Sequence, residues 1–176
     1  MSQEYLLNSE HKRYTVHPIK EKEMFEMYKI AMAAYWTPEE IDFSSDYDDY
    51  KKLSKDAQYF IKMILSFFAA SDGLVNQNLM DRFTNEVQIM EALMFYNFQV
   101  MIENVHGETY SLMLDNVTED KDEKDELLNA IENFDCIKQK ADWMKKWMNS
   151  DSPFIQRVIA FACVEGIYFS GSFCAI

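Results

Sequence analysis

From Ser54 to Asn116 the chain contains no proline, and apolar residues recur through it at intervals of three and four. That period marks one buried face of a helix. A proline inside a helix costs about 3 kcal/mol, so a stretch this long without one leaves room for long helices. Two are predicted, over 54–82 and 85–116, with a break near Thr84-Asn85. Four glycines and three prolines in 176 residues are too few for a loop-rich β fold. No strand-like alternation persists beyond a few residues. The expected fold class is all-α, a helix bundle.

The flanking sequence adds shorter helices. Residues 1–20 are polar and expected to be extended, an N-terminal segment ahead of a helical domain over 21–176. Met24, Met27, Tyr28 and Ala31 form a stripe that predicts a helix over 21–35. Thr37-Pro38-Glu39-Glu40 reads as a helix start, with a threonine cap, proline in the first turn and a glutamate to close a capping box. The acid-rich IDFSSDYDDY that follows limits it to a short turn. After a charged turn at 117–125, helices are predicted over 123–133 and 135–149. Ser152-Pro153 restarts a helix that runs to the end.

Thirty acids against 17 bases give a formal charge of -13. Such a surface repels phosphates, so neither a nucleic acid nor an anionic membrane is an expected partner. Three cysteines, Cys136, Cys163 and Cys174, make no C-x-x-C pair and suit a reducing compartment. The N-terminus lacks the apolar core of a signal peptide. The longest nearly apolar run is read around Met63 to Ala70, too short to span a bilayer. A soluble cytoplasmic protein is expected.

Function is written in the polar residues on apolar stripes. In the first long helix Ile61, Leu65, Phe68, Asp72, Val75 and Leu79 share one face. In the second, Tyr96, Gln99, Glu103, His106, Tyr110 and Met113 form a stripe beside apolar Phe95, Phe98, Ile102, Val105 and Leu112. In the last, Glu165 sits among Val158, Ala162, Phe169 and Phe173. Three carboxylates thus point to the core from three helices, with no Lys or Arg on those stripes near them. A buried carboxylate without compensation costs several kcal/mol, on the order of a domain's whole stability. A metal cation would supply the charge. Glu103-x-x-His106 puts carboxylate and imidazole on adjacent turns facing one way, as in helix-bundle dimetal carboxylate proteins. Such ligands suit iron or manganese.

Taken singly, each residue has a plainer reading. Asp72 can be a helix-bend acid bonded to a serine or the backbone, His106 a satisfied core or surface histidine, and Glu165 a bundle-edge acid. Tyr110 can be plain core, and the 12 methionines core filler. Their joint placement on buried stripes favours the metal.

These segments resemble the small, radical-generating subunit of class I ribonucleotide reductases, in its eukaryotic or viral branch. FFAASDGLVNQN around Asp72 is similar to the segment with the family's first iron-binding aspartate. IENVHGETYSLML is similar to that of its first E-x-x-H and radical tyrosine, and IAFACVEGIYFSGSF to that of its next glutamate. YWTPEEIDFSSD resembles its tryptophan motif, and QKADW a further short motif. The resemblance runs from about Tyr35 to the last residue. It implies a ferritin-like bundle that holds two iron ions, with manganese as the alternative. Asp72, Glu103 and His106 would bind one ion, Glu103 bridging to the second and Glu165 binding that second one. Tyr110 would carry a stable tyrosyl radical, Trp36 would relay an electron, and Phe169 and Phe173 would wall the radical pocket. The implied activity is deoxyribonucleotide synthesis by a ribonucleoside-diphosphate reductase, with the large subunit as partner and a homodimer as assembly.

Against that pattern, the family's second E-x-x-H, the aspartate between the iron-bound histidine and Trp36, and the docking tail are not in this sequence. The expectation is an N-terminal portion that is inactive alone. Two other readings stand beside the resemblance: a different ferritin-like di-iron oxidase, and a non-enzymatic helical scaffold or inactive paralogue. Finally, Gly73, Gly107 and Gly166 each directly follow a proposed ligand. Glycine inside a helix costs roughly 1 kcal/mol against alanine, and close helix approach or local helix distortion would be a reason for it.

Overall fold

A computed structural model describes residues 4–175 of the chain. Among those residues every regular element is helical, as the proline-free, three-and-four periodic sequence requires. The elements are α1 (Lys22–Ala33), α2 (Asp46–Tyr50), α3 (Lys55–Asn78), α4 (Thr84–Glu86), α5 (Met90–Val117), α6 (Lys121–Leu128), α7 (Ala130–Asn133), α8 (Asp135–Met148), α9 (Phe154–Cys163) and α10 (Ser170–Phe173). A π turn at Leu79–Phe83 joins α3 to α4, and another at Val164–Tyr168 joins α9 to α10. The chain forms two compact units, one of Met1–Trp36 with Asn76–Asn104, the other of Thr37–Val75 with Val105–Ile176.

In the first unit the N-terminal segment is not simply extended. It makes 3-10 turns at Tyr5–Leu7 and Ser9–His11, and Gln88 N–H donates to the Leu6 carbonyl at 2.8 Å. The cause of its order is Glu91, in the first turn of α5 and 1% exposed. Its Oε1 accepts from the Arg13 guanidinium and from the backbone N–H groups of Lys20 (2.7 Å) and Glu21 (3.2 Å). Arg13 also donates to the carbonyls of Thr15, Val16 and Pro18. A buried carboxylate must be compensated, and here the compensating groups come from the polar N-terminal segment and from Glu21 just after it.

The break expected at Thr84-Asn85 falls at residues 87–89 instead. The π turn leaves carbonyls that the regular ladder would satisfy. Thr84 Oγ1 and Asn85 Nδ2 donate to the Met80 carbonyl at 3.0 and 2.7 Å, so these two residues prolong the helix rather than end it. Leu79 and Phe83 are fully buried there, and the Phe83 ring lies 5.5 Å from that of Tyr96.

In the second unit Tyr50, Leu65, Leu114, Val117 and Leu127 form a core cluster. Thr37 N–H donates to Glu40 Oε1 at 3.0 Å, closing the expected capping box on a single 3-10 turn at Pro38–Glu40. Asp120 caps α6 by accepting from Glu123 N–H at 2.8 Å. The helix predicted over 123–133 is two, α6 and α7. Asn129 Nδ2 donates to the Asp125 carbonyl at 2.7 Å and ends the first.

The buried face of the last helices differs from the stripe read in sequence. The buried residues are Phe154, Arg157, Ala160, Val164 and Phe169, whereas Phe173 is 56% exposed. The spacing from Val164 to Phe169 is five, and the π turn is the reason: it accommodates one extra residue per turn, so Phe169 rather than Tyr168 returns to the buried side. Leu112 of α5, expected on an apolar stripe, is 43% exposed. Among the described residues, one helix longer than the apolar run around Met63 to Ala70, Phe154–Phe173, is long and apolar enough by length and composition to cross a bilayer. Here it is a helix of the bundle, with Arg157 buried and its Nε donating to the Ser152 carbonyl at 3.1 Å.

Candidate metal centre

The stripe on α3 folds as its period requires. Leu65, Phe68, Val75 and Leu79 are each no more than 2% exposed, and Asp72 is carried among them at 6%. On α5, Glu103 is 8% exposed and His106 half-buried. Asp72 and His106 each offer a ligand atom within 4.8 Å of the other's. Glu103, one turn before His106 on the same helix, reaches within that distance of the imidazole too. Gln99 Nε2 lies 3.5 Å from Glu103 Oε1, at the outer limit of a hydrogen bond. The donor set is carboxylate and imidazole, the carboxylates buried and the imidazole half-buried, carried on helices. These are hard oxygen and borderline nitrogen ligands, which fit iron or manganese.

Glu165 is not in the group of described residues that converges so closely. It lies half-buried in the π turn after α9. Single π turns inside helices are frequent at functional sites. Trp36 lies half-buried in the loop after α1, in the first unit.

Tyr110 follows His106 by one turn, and their ring centroids are 6.4 Å apart. Its near aromatic neighbour is Phe68 of α3, stacked on it at 4.8 Å with 27° between planes. Phe169 and Phe173 pack on Phe68, at 5.8 and 4.8 Å, and Phe169 also reaches Phe67 at 5.3 Å. Phe68 was legible only as a core position on the Asp72 stripe. That it sits four residues before Asp72 on the same face of the helix was the available signal.

The glycines do not mark close approach. A Cβ at Gly73, Gly107 or Gly166 would meet nothing within 4 Å. Gly166 lies in a π turn, which agrees with local distortion, while Gly73 and Gly107 sit in regular α3 and α5.

Residues 13–176 match the family described as ribonucleotide reductase, small chain. The chain belongs to that family. Relatives named ribonucleoside-diphosphate reductase small chain include that of Swinepox virus (strain Kasza), 52% identical over 173 residues, which are 98% of this chain and 63% of the relative. That of Plasmodium falciparum (isolate Dd2) is 52% identical over 173 residues, 98% of this chain and 50% of the relative. The chain therefore spans between half and two thirds of the length of these relatives. Among solved structures, the ribonucleotide reductase Rnr4 homodimer from Saccharomyces cerevisiae superposes with a TM-score of 0.84 at 36% identity, over 96% of this chain and 54% of that one. The dimanganese(II)-NrdF of Streptococcus sanguinis shares the fold, with a TM-score of 0.83 at 20% identity, over 93% of this chain and 57% of that one. The fold is the ferritin-like helix bundle of ribonucleotide reductase small subunits, and the family is one of dimetal carboxylate proteins.

Proposed function

We propose that this chain provides the tyrosyl-radical site of a ribonucleoside-diphosphate reductase small subunit, which serves deoxyribonucleotide synthesis with a large subunit as partner. The carrying observation is the approach of Asp72 and His106 ligand atoms to within 4.8 Å, with the Tyr110 ring one turn on and stacked on Phe68. Asp72, Glu103 and His106 would hold one iron ion, Glu103 would reach toward a second, and Glu165 would serve that second ion; manganese is the alternative metal. When bound, the metal pair supplies the O2-driven one-electron oxidation of a nearby phenol.

The chain's own residues do the rest. Helices α3 and α5 hold carboxylate and imidazole in fixed positions, so the ligands are placed before the metal arrives. Tyr110 gives up an electron and its phenolic proton. Phe68 covers one face of its ring, and Phe169 and Phe173 back Phe68, which keeps water and reductants away from the oxidised phenol. Trp36 is proposed as the electron relay. Assembly as a homodimer is proposed with it, supported by the homodimeric yeast relative, and a cytoplasmic location is part of the same proposal.

The test is electron paramagnetic resonance on the natural protein loaded with iron(II) and exposed to O2. A tyrosyl signal lost in Tyr110→Phe, with metal content unchanged, is expected. A signal of equal size in that variant would refute the assignment.

A further inference from the structure

One polar contact, buried on its Asn76 side, lies beside the ligand turns and serves none of the roles above. Asn76, 8% exposed, stands one turn after Asp72 on the same face of α3, between buried Val75 and Leu79. Its Nδ2 donates to Oδ1 of Asn104, the residue after Glu103 on α5, at 2.7 Å. The Asn76 Oδ1 is buried and has no hydrogen-bond partner among the described residues. So the bond to Asn104 is what this amide gains for leaving water.

An amide buried among apolar side chains costs on the order of 1–3 kcal/mol if its partner is withdrawn. A slide of α3 along α5 by a single turn, about 5.4 Å, would withdraw it. Apolar neighbours such as Val75 and Leu79 pack nearly as well in several registers, because dispersion is not directional. A buried amide with a single partner is not so tolerant, which is why buried polar residues fix register where helices meet. Along the helices, Asn76 follows Asp72 by four residues on α3 and Asn104 precedes His106 by two on α5. We infer that Asn76 and Asn104 are a positioning pair, which sets the register of α3 on α5 and, through those two continuous helices, the spacing of Asp72 and His106. Neither amide touches the metal; they act through the helices. The inference rests on the proposed metal site.

The experiment is anaerobic iron(II) titration of the natural protein and of Asn76→Ala, Asn104→Ala, the double variant and Asn104→Asp, with thermal unfolding of each metal-free protein alongside. Asn104 is exposed, so Asn104→Ala removes the bond from the solvent side and keeps the test open if Asn76→Ala fails to fold. Each single alanine variant is expected to lose roughly 10-fold or more in affinity, the range for groups that orient ligands. The double variant should lose no more than the worse single one, and Asn104→Asp, which keeps the acceptor, should retain most of the affinity. Lower thermal stability with unchanged affinity overturns the inference, as do additive losses. Wild-type protein that binds no iron(II) overturns the metal site as well, whereas binding lost only in Asp72→Ala and unaffected in the asparagine variants sinks the pair alone.

Discussion

The Phe68 ring is stacked on Tyr110, with centroids 4.8 Å apart and planes 27° from parallel. Phe68 is 2% exposed and touches Phe169 and Phe173 as well, so it is the hub of the aromatic cluster. Phe68→Ala should destabilise the fold by about 3–5 kcal/mol, the cost of a large cavity, as read by urea unfolding. Phe68→Leu keeps most of the volume. It should leave metal content intact and shorten the lifetime of the tyrosyl signal; an unchanged decay would show that Phe68 does not shield Tyr110.

Asp72 offers a sharper separation of stability from function. Asp72 is 6% exposed, and an amide in its place fills the same volume without a charge to desolvate. Asp72→Asn should therefore leave the metal-free melting temperature equal or higher while iron(II) affinity falls by ~100-fold or more. A matching drop in melting temperature would mean that the carboxylate is a structural acid.

Glu91 makes the fold acid-sensitive. Burial pushes its carboxyl up, but the Arg13 guanidinium and the N–H groups of Lys20, Glu91 and Glu21 outweigh that and lower it to about 2. With the folded value below the unfolded 4.5, its contribution is complete above pH 4.5 and is lost as pH falls toward 2. The shift corresponds to roughly 3 kcal/mol. Unfolding free energy measured from pH 7 down to pH 3 should fall, and Glu91→Gln should lower it at pH 7 and flatten that acid slope.

Gly73 and Gly107 lie in regular helix with open space at the Cβ position. Gly73→Ala and Gly107→Ala should each raise stability by about 0.5–1 kcal/mol without changing iron(II) affinity. A loss of affinity in Gly107→Ala would reveal a requirement at that turn that steric space does not express.

The face of α3 was legible because its apolar period is unbroken from Ile61 to Leu79, and an aspartate in such a run has few other uses. Glu103 and His106 were legible for the same reason. The buried face after Glu165 was not, because a π turn depends on which carbonyl an N–H selects, and periodicity assumes a constant 3.6 residues per turn. Glu91 escaped notice because its partners, Arg13 and the N–H groups of Lys20 and Glu21, are some 70 residues away in sequence. A charge at the start of a helix ordinarily reads as solvated. Phe68 was seen as core; that its ring would meet Tyr110 depends on how α3 lies against α5, which neither helix's own sequence states.

The π turn at Val164–Tyr168 acts as an expansion joint in the chain. It absorbs a residue that a regular helix would convert into a rotation of about 100° for everything beyond it. Removing one residue inside the joint would restore an ordinary helix with Phe169 four positions after Val164, still directed at Phe67 and Phe68. The same deletion in the regular run of α9 would swing the downstream faces out of place. Length can therefore change at this joint without disturbing the aromatic cluster, and a one-residue gap between homologues here is a change of helix type at constant orientation.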